Sequence, residues 1–340
     1  MITQTVSPIL CRRIGNAIKT LPSKPLFLHL SSTLSHATTA TRHYSKVGIA
    51  GLGLMGHGIC QVTAQSPITK SVIAYEPSET FLSKGRSRIE TSLDKLVSKD
   101  KLTSAAADAV LKKIKFTTNL EDLSEVDLLV EAIIENIDLK KSFYENVSEV
   151  CRKNESIVFA SNTSSLPISE MASVSGRPDR FVGIHFFNPV QMMKLVEVVR
   201  TPATDMTVYD AVVSWVDNSI GKVAVRCGDT PGFIVNRLLV PSMAQGMLMV
   251  DRGEASVADV DVAMRLGAGY PMGLLHLADY VGLDTCYFIL DGWTKNYPNE
   301  TAFVMPQCLK AKFEAGEFGR KTGKGFYYWD GDKRGDPVEE

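Results

Sequence analysis

Two ionisable residues lie inside apolar runs of the sequence. His185 lies within GIHFF (183–187), and Glu197 lies within KLVEVV (194–199). Both runs have the pattern of buried strands. Side chains alternate between the two faces of a strand, so apolar neighbours on both sides indicate that both faces around Glu197 are covered. A buried carboxylate is costly unless it is paired, and His185 is the available partner.

Such a pair is suited to proton transfer. A carboxylate that is hydrogen-bonded to one imidazole nitrogen fixes the tautomer, raises the basicity of the ring and stabilises the imidazolium. The other nitrogen can then remove a hydroxyl proton while a hydride leaves, a step that contributes about 10²–10⁴-fold. The residues alone are equally compatible with a hydrogen-bonded core histidine and an edge-strand glutamate.

Polar residues at the ends of predicted strands favour the catalytic interpretation. The segment ASNTSSL (160–166), which includes Ser164, ends one strand, and Asn188 follows the strand of His185. Ligands bind at this edge in open α/β sheets. Asn236 lies on an otherwise apolar helix face within TPGFIVNR (230–237). Turn formation for ASNTSSL, and capping or simple exposure for Asn236, are the structural alternatives.

A glycine-rich loop follows the first predicted strand. VGIAGLGLMGHGI has the spacing G-x-G-x-x-G, and its predicted cofactor-binding residues are Gly51, Gly53, Leu54, Met55 and Gly56. Between a strand and a helix N-terminus, such a loop binds the pyrophosphate of a dinucleotide. Glu76, twenty residues after Gly56 at the end of the next strand, is placed to accept hydrogen bonds from ribose hydroxyls. A carboxylate repels the 2′-phosphate of NADP, so the sequence predicts NAD.

The order of the predicted elements indicates two domains. From Lys46 onward short apolar strands alternate with amphipathic helices, which predicts an α/β fold with a mainly parallel sheet. After Gly228 the pattern is helical, and no strand pair is predicted there. We therefore expect a Rossmann-type NAD-binding domain over residues 45–228, an all-helical domain over 229–330 and a tail over 331–340. A chain of 340 residues has room for both domains.

The first 44 residues have the composition of an organellar transit peptide. Five of the 37 basic residues fall in the first 45 positions, and no acidic residue occurs before Glu76. Arg42-His43-Tyr44-Ser45 resembles a mitochondrial processing site with a cut after Tyr44. The sequence therefore predicts a mitochondrial protein, with a plastid as the second choice and a plain disordered tail as the alternative to a transit peptide.

The composition argues against several other classes of function. A net charge of −1 gives no reason to expect nucleic acid or a membrane surface as a partner. No run approaches the ~20 apolar residues that a membrane-spanning helix needs. The six cysteines are scattered without a Cys-x-x-Cys pair, which argues against a zinc site, and we predict no metal site.

A set of motifs in one order resembles the L-3-hydroxyacyl-CoA dehydrogenase family, in its monofunctional mitochondrial form. The motifs lie between Lys46 and Trp329 and read GLGLMGHGI, VEAIIEN, FASNTSSL, IHFFNPV, MKLVEVV, DTPGFIVNRLLVP, LGAGYPMG, DYVGLDT and GRKTGKGFY. The resemblance implies a Rossmann-type domain followed by a helical domain that forms a homodimer. It also implies NAD-dependent oxidation of L-3-hydroxyacyl-CoA to 3-ketoacyl-CoA in fatty-acid β-oxidation.

The resemblance further implies roles for individual residues. His185 is the general base with Glu197 as its partner, and Ser164 and Asn236 contact the reacting oxygens of the substrate. Asn188 lies near the nicotinamide, and Glu76 holds the adenosine ribose. The other implied contacts are to NAD from Glu135, Lys140, Ser164 and Lys321, and to CoA from Ser92, Lys99 and Ser164. Without the resemblance, Glu135, Lys140, Lys321, Ser92 and Lys99 have the pattern of ordinary surface residues.

Two positions depart from the family pattern. Glu76 stands where the family usually has Asp, and the longer side chain could loosen the ribose contact. His57 replaces a small residue after the third glycine, where it could crowd or favour the pyrophosphate.

Two other functions remain open from the sequence. A β-hydroxyacid dehydrogenase of the 3-hydroxyisobutyrate type begins with a similar glycine-rich loop, but that family acts through a lysine and lacks the HFFNP strand. A non-catalytic NAD-binding or structural relative is the other alternative. The simultaneous presence of Ser164, His185, Asn188, Glu197 and Asn236 argues against lost catalysis.

Overall fold

The computed structural model of the protein describes residues 44–338. The predicted transit segment, apart from Tyr44, lies outside the described residues, as do the last two residues of the predicted tail. None of the helices within 44–338 is long and apolar enough to cross a membrane.

The first part of the described chain is built on an eight-stranded sheet. The strands are β1 (Lys46–Ala50), β2 (Ser71–Tyr75), β3 (Ile114–Thr117), β4 (Leu128–Glu131), β5 (Val158–Ser161), β6 (Phe181–Phe186), β7 (Leu195–Arg200) and β8 (Val223–Gly228). Their spatial order is β3-β2-β1-β4-β5-β6-β7-β8. All neighbouring strands are parallel except β6 and β7, which are antiparallel. The predicted mainly parallel α/β fold is confirmed.

Helices cover both faces of this sheet. They are α1 (Gly56–Gln65), α2 (Glu79–Val97), α3 (Ser104–Lys112), α4 (Ile137–Val150), α5 (Ile168–Val174) and α6 (Met206–Ser214), with 3₁₀ turns at Leu120–Leu123 and Pro178–Arg180 and a π-helical turn at Trp215–Ser219. The central strands β4, β5 and β6 are buried along their whole length, as their continuous apolar runs predict. The carboxyl ends of β1, β4, β5 and β6 meet at one edge of the sheet, where polar residues follow the strands.

The second part is mainly helical and has its own apolar core. Its helices are α7 (Val235–Asp251), α8 (Val257–Gly267), α9 (Leu274–Val281), α10 (Leu283–Asn296) and α11 (Gln307–Glu314). Ser256 caps the start of α8, where its side chain accepts a hydrogen bond from the Asp259 amide.

The prediction of no strand pair after residue 228 was wrong at the end of the chain. Strands β9 (Tyr327–Asp330) and β10 (Lys333–Pro337) form an antiparallel hairpin, so the predicted tail contributes a strand. The polar sequence KRGDP of β10 has no apolar alternation, which is why the hairpin has no sequence signal. The buried Asp279 of α9 holds it in place by accepting from the Tyr327 amide and the Trp329 indole, both at 2.9 Å.

Tyr44 belongs to the sheet domain, although it lies one residue before the predicted domain boundary. The Tyr44 side chain is fully buried in the core of the sheet domain. The next two backbone amides, of Ser45 and Lys46, each donate to the Asp127 carboxylate at 2.9 Å. A cut after Tyr44, as the sequence predicts, would therefore remove a core side chain.

Candidate active site

The antiparallel pairing of β6 and β7 places His185 directly opposite Glu197. His185 Nδ1 lies 2.7 Å from Glu197 Oε2. The imidazole is 7 % exposed and Glu197 is fully buried, so the pair is shielded from water, as the apolar runs around both residues predict. The rings of Phe187 and Phe233 lie against the imidazole, with centroids 4.4 and 5.8 Å away.

The second oxygen of Glu197 binds the start of the helical domain. Oε1 accepts hydrogen bonds from the backbone amides of Ile234 at 3.0 Å and Val235 at 2.8 Å, where α7 begins. Burial raises the pKa of the Glu197 carboxyl, but the hydrogen bond from His185 and these two amides outweigh that effect. The pKa therefore lies below its ordinary value and the group is a carboxylate at neutral pH. A carboxylate only accepts, so Nδ1 carries a proton and Nε2 is the nitrogen left for a substrate.

A cavity of about 490 Å³ lies at the carboxyl edge of the sheet and includes His185 in its wall. It is the candidate active site and is called the catalytic cavity. Seven other predicted site residues line the same cavity, namely Gly53, Leu54, Met55, Glu135, Ser164, Asn188 and Asn236. Asn236 comes from the first turn of α7, and its Nδ2 donates to the Ser164 carbonyl oxygen at 3.3 Å. Residues from both parts of the chain thus form one site.

The glycine-rich loop fits a dinucleotide at this edge. Gly51 has φ +89°, a conformation that favours glycine, and a Cβ at Gly56 would lie 1.7 Å from the Gly51 carbonyl oxygen. No atom lies within 4 Å of a Cβ placed on Gly53, so the backbone is open to a ligand there. The half-buried Glu76 accepts from the Leu52 amide at 3.2 Å and the Ser78 amide at 3.4 Å. Its carboxylate is therefore held beside the loop despite the longer side chain.

Lys140 is fully buried, so the expectation of an ordinary surface residue was wrong. Its ammonium pairs with the buried Glu131 at the end of β4 and lies 3.4 Å from Glu135 Oε2. The Glu135 carboxylate in turn accepts from the Thr163 hydroxyl and the Ser164 amide. Lys140 therefore acts on the site indirectly. It lies against Glu135, which lines the cavity and binds the turn that carries Ser164.

Two residues of this region were missed by the sequence analysis. Glu131 ends the apolar run VDLLVE, a position where a carboxylate is as unusual as at Glu197, and this signal could have identified it. Asn162 lines the cavity, and its Oδ1 accepts from the Phe186 amide at 3.0 Å, which joins the ends of β5 and β6. Asn162 was part of a predicted polar turn, and nothing in the sequence distinguishes it from its neighbours.

Lys321 does not line the catalytic cavity. Its ammonium lies 2.7 Å from the Asp284 carboxylate and 3.0 Å from the Thr285 hydroxyl, both at the start of α10. Its implied contact with NAD remains a prediction.

A second cavity, of about 510 Å³, contains the two predicted CoA residues Ser92 and Lys99. Three further cations line it, Arg88, Lys95 and Lys101. His57 also lies in this wall and not among the residues of the catalytic cavity. The basic lining is suited to a phosphorylated ligand.

The described residues contain no group of three or more His, Cys, Asp or Glu side chains arranged to bind a metal ion. Burial raises the pKa of the Cys151 thiol to about 11 and that of Cys227 to about 12, so neither thiol is a thiolate at neutral pH.

Comparisons with known proteins place both parts of the chain in one family. Residues 46–230 match the 3-hydroxyacyl-CoA dehydrogenase NAD binding domain, and residues 232–329 match the 3-hydroxyacyl-CoA dehydrogenase C-terminal domain. The rat protein named hydroxyacyl-coenzyme A dehydrogenase, mitochondrial, is 45% identical over 83% of this chain and 90% of its own length. A probable 3-hydroxyacyl-CoA dehydrogenase of Caenorhabditis elegans is 44% identical over 88% of this chain and 99% of its own length.

A solved structure has the same fold. The crystal structure of (S)-3-hydroxybutyryl-CoA dehydrogenase PaaH1 from Ralstonia eutropha is 36% identical and has a TM-score of 0.80, over 84% of this chain and 99% of that one. The likeness extends over both parts of the chain. The protein belongs to the 3-hydroxyacyl-CoA dehydrogenase family.

Proposed function

We propose that the protein interconverts L-3-hydroxyacyl-CoA and 3-ketoacyl-CoA with NAD, in the β-oxidation of fatty acids. The buried pair of His185 and Glu197 carries this proposal, because His185 lies in the wall of the same cavity as the glycine-rich loop. A proton acceptor and a dinucleotide site that share one cavity are the two requirements of hydroxyl oxidation. Family membership supports the substrate class.

In the oxidation direction, His185 Nε2 removes the proton of the 3-hydroxyl group. The O–H bond breaks, C3 loses a hydride with its electron pair, and the C3–O bond becomes a carbonyl. When bound, NAD supplies the hydride acceptor. Glu197 stabilises the imidazolium that forms, since its carboxylate is already hydrogen-bonded to Nδ1. In the reduction direction His185 returns the proton to the same oxygen.

Ser164 and Asn236 hold the reacting oxygen beside His185. Both lie in the cavity wall with His185, and the hydrogen bond from Asn236 to the Ser164 carbonyl fixes their relative position. Hydrogen-bond donors aimed at the oxygen stabilise the negative charge that develops on it. Asn188, at the end of the His185 strand, is placed to orient the carboxamide of the nicotinamide.

The preference for NAD over NADP rests on Glu76. Its carboxylate is fixed beside the loop by the amides of Leu52 and Ser78, so it meets the ribose of any bound dinucleotide. It accepts hydrogen bonds from free ribose hydroxyls and repels a 2′-phosphate.

Steady-state kinetics with four substrates tests this function. We expect NADH-dependent reduction of acetoacetyl-CoA, NAD-dependent oxidation of (S)- but not (R)-3-hydroxybutyryl-CoA, and little reaction with 3-hydroxyisobutyrate. NADPH in place of NADH should lower kcat/KM at least tenfold. Oxidation of 3-hydroxyisobutyrate alone would support the β-hydroxyacid alternative, and NAD binding without any turnover would support a non-catalytic role.

A homodimer through the helical domain is the expected assembly. A groove of about 650 Å³ between α7 and α8 is lined mainly by apolar residues, among them Met249, Val260 and Met264. On the same helix α8, Leu266 is 79 % exposed and Val262 is 47 % exposed. An apolar surface of this kind is typical of an interface with another chain.

Sedimentation of Leu266→Glu tests the dimer. The charged side chain should shift the protein towards monomer, and any fall in melting temperature should equal only the contribution of dimerisation, because Leu266 is exposed in the single chain. Arg265→Gln, on the same helix, changes the net charge by the same single unit and is the control for the change in charge. A wild-type monomer at micromolar concentration would contradict the assembly.

The mitochondrial matrix is the expected location. The rat relative carries the word mitochondrial in its name, and the basic, acid-free segment before Tyr44 has the composition of a matrix-targeting peptide. Residues 1–50 fused to a fluorescent protein should direct it to mitochondria. Accumulation in plastids or in the cytosol would contradict this location.

A further inference from the structure

The second cavity is called the basic cavity for its lining of cations. Two segments of the chain line both the catalytic cavity and the basic cavity. The segment 53–57 contributes Gly53, Leu54 and Met55 to the first and His57 to the second. The loop between β6 and β7 contributes Phe187 and Asn188 to the first and Pro189, Gln191 and Met192 to the second. A ligand with a reacting end in one cavity and phosphates in the other therefore passes between these two segments.

The imidazole of His57 has a fixed orientation on this path. Its Nδ1 lies 2.8 Å from the Gly53 carbonyl oxygen. A carbonyl oxygen only accepts, so Nδ1 carries the proton and Nε2 is the nitrogen available to a ligand. The ring is half-buried in the cavity wall, beside the cations of α2 and of the turn after it.

The neutral ring offers a hydrogen-bond acceptor. Burial lowers the pKa of His57, and the charge of Arg88 lowers it further, against the opposing effect of the hydrogen bond to Gly53. The unprotonated Nε2 of a neutral imidazole accepts a hydrogen bond. Phosphate oxygens also only accept, so they cannot donate one to Nε2. Phosphates are therefore partners for Arg88, Lys95, Lys99 and Lys101, and the partner of His57 has to be a donor.

We propose that His57 is a further substrate-binding residue, which accepts a hydrogen bond from the pantetheine arm of CoA. The arm carries two amide N–H groups and a hydroxyl group, and it links the thioester to the phosphates. This inference rests on the proposed function, since it takes CoA as the occupant of the basic cavity. The contact lies at the position directly after the third glycine. There this chain has His57, whereas the family usually has a small residue.

Calorimetric titration tests the contact without any turnover. The two probes are free CoA and adenosine 3′,5′-bisphosphate, which keeps two of the three phosphates of the nucleotide end but lacks the pantetheine arm. In His57→Ala we expect the ratio of the Kd for CoA to the Kd for the bisphosphate to rise about tenfold, the usual effect of losing one ligand hydrogen bond. The alanine variant should fold, because the family has a small residue here.

Two further variants make the test specific. His57→Asn keeps a donor for the Gly53 carbonyl and an acceptor for the ligand, so it should recover part of the ratio. His276→Ala removes an imidazole that lines neither cavity and should leave the ratio at the wild-type value. An unchanged ratio in His57→Ala would overturn the proposal, as would an equal rise in both Kd values, which indicates a phosphate contact.

The proposed function is tested separately from this contact. Turnover of S-acetoacetyl-N-acetylcysteamine with NADH needs only the catalytic cavity, since this thioester lacks the nucleotide end and most of the arm. If the wild-type protein reduces it but binds neither CoA nor the bisphosphate, the dehydrogenase function stands and the His57 proposal is overturned.

Discussion

Glu197 connects three groups through its two carboxylate oxygens. One oxygen accepts from His185, and the other accepts from the amides of Ile234 and Val235. The tautomer of His185 and the start of α7, which carries Asn236, are therefore set by the same side chain. In the proposed mechanism, this arrangement fixes the position of the proton acceptor His185 relative to Asn236 of the helical domain.

Substitution of Glu197 by Gln separates these tasks. The amide oxygen can still accept from Ile234 and Val235, but the amide NH₂ faces His185 and forces the proton onto Nε2. We expect kcat for acetoacetyl-CoA reduction to fall by about 10²–10⁴-fold, as for loss of a general acid–base group. Affinity for NADH, measured by fluorescence, should change less than threefold. Retention of a tenth or more of kcat would contradict the role of Glu197.

The stability of the protein should also depend on Glu197 ionisation. The folded pKa of Glu197 is lower than the ordinary value of about 4.3. The ionised group therefore stabilises the native state above that value, and this contribution is lost as the pH falls through the lower folded pKa. The difference in unfolding free energy between wild type and Glu197→Gln should be constant above about pH 5.5 and shrink below about pH 4. A difference that grows towards low pH would contradict this sign.

Individual site residues were predictable where they interrupt an apolar pattern. His185 and Glu197 were found because ionisable residues are rare inside apolar runs, and the structure pairs them. Lys140 was misjudged because a lysine in the first turn of an amphipathic helix is normally exposed. Only the fold shows that this turn of α4 lies against Glu131, which makes burial of the ammonium tolerable.

At the scale of elements, the loop between β6 and β7 forms a wall of both cavities, and Lys222 fastens it. Lys222 is 8 % exposed, and its Nζ donates to the carbonyl oxygens of Val190 and Met193, both at 2.6 Å. Burial lowers the pKa of Lys222. Since Asn188 lies in the same loop, these two hydrogen bonds position a predicted contact to the nicotinamide.

Replacement of Lys222 by Met should loosen this loop. The variant removes the ammonium group and leaves the carbonyl oxygens of Val190 and Met193 without its two hydrogen bonds. We therefore expect a loss of about 1–3 kcal/mol in unfolding free energy. Amide exchange should accelerate within residues 189–194, and KM for NADH should rise several-fold. The exposed Lys194 of the same loop is the matched control, and Lys194→Met should match the wild type. Unchanged exchange in Lys222→Met would contradict the positioning role.

The elements themselves were largely predictable. The strands up to β8, the helices α1 to α4 and the helices α6 to α9 follow apolar periodicities, and the structure confirms them with shifts of a few residues. The seven-residue helix α5 was not predicted, because it is too short to show a clear periodicity. The antiparallel direction of β7 was not predictable, because a buried strand has the same apolar run in either direction. The hairpin of β9 and β10 depends on hydrogen bonds to Asp279, a contact distant in sequence.

For the molecule as a whole, the burial of Tyr44 limits where processing of the N-terminal segment can occur. The tyrosine side chain is fully buried in the core of the sheet domain. We therefore expect the mature protein to retain Tyr44, with processing at or before the His43–Tyr44 bond. Mass spectrometry of the protein from isolated organelles gives the N-terminus directly, and a mature chain that begins at Ser45 would contradict this boundary.

Loss of the Tyr44 side chain should destabilise the protein. Removal of a buried aromatic side chain costs about 3–5 kcal/mol. In a chain that begins at Tyr44, Tyr44→Ala should therefore lower the unfolding free energy by about that amount, whereas Tyr44→Phe should cost less than half of it. Denaturant titration measures both. Equal stability of the alanine variant and the wild type would show that the side chain contributes nothing to the core.

The two domains and their order were predictable, but their connection was not. The change from alternating strands to helices near Gly228 is visible in the sequence. That Glu197 binds the first amides of α7, or that Asn236 reaches the Ser164 carbonyl, depends on how the two domains pack. The position of Lys321, against Asp284 and away from the catalytic cavity, depends on the same packing.

NADH oxidation by His185→Gln with acetoacetyl-CoA, in the chain that begins at Tyr44, decides whether His185 transfers the proton. Glutamine keeps a hydrogen-bonding side chain but cannot transfer the proton, so kcat should fall by at least about 10²-fold while NADH binding is preserved. Activity within tenfold of the wild type, with NADH bound normally, would contradict proton transfer by His185 and with it the proposed mechanism.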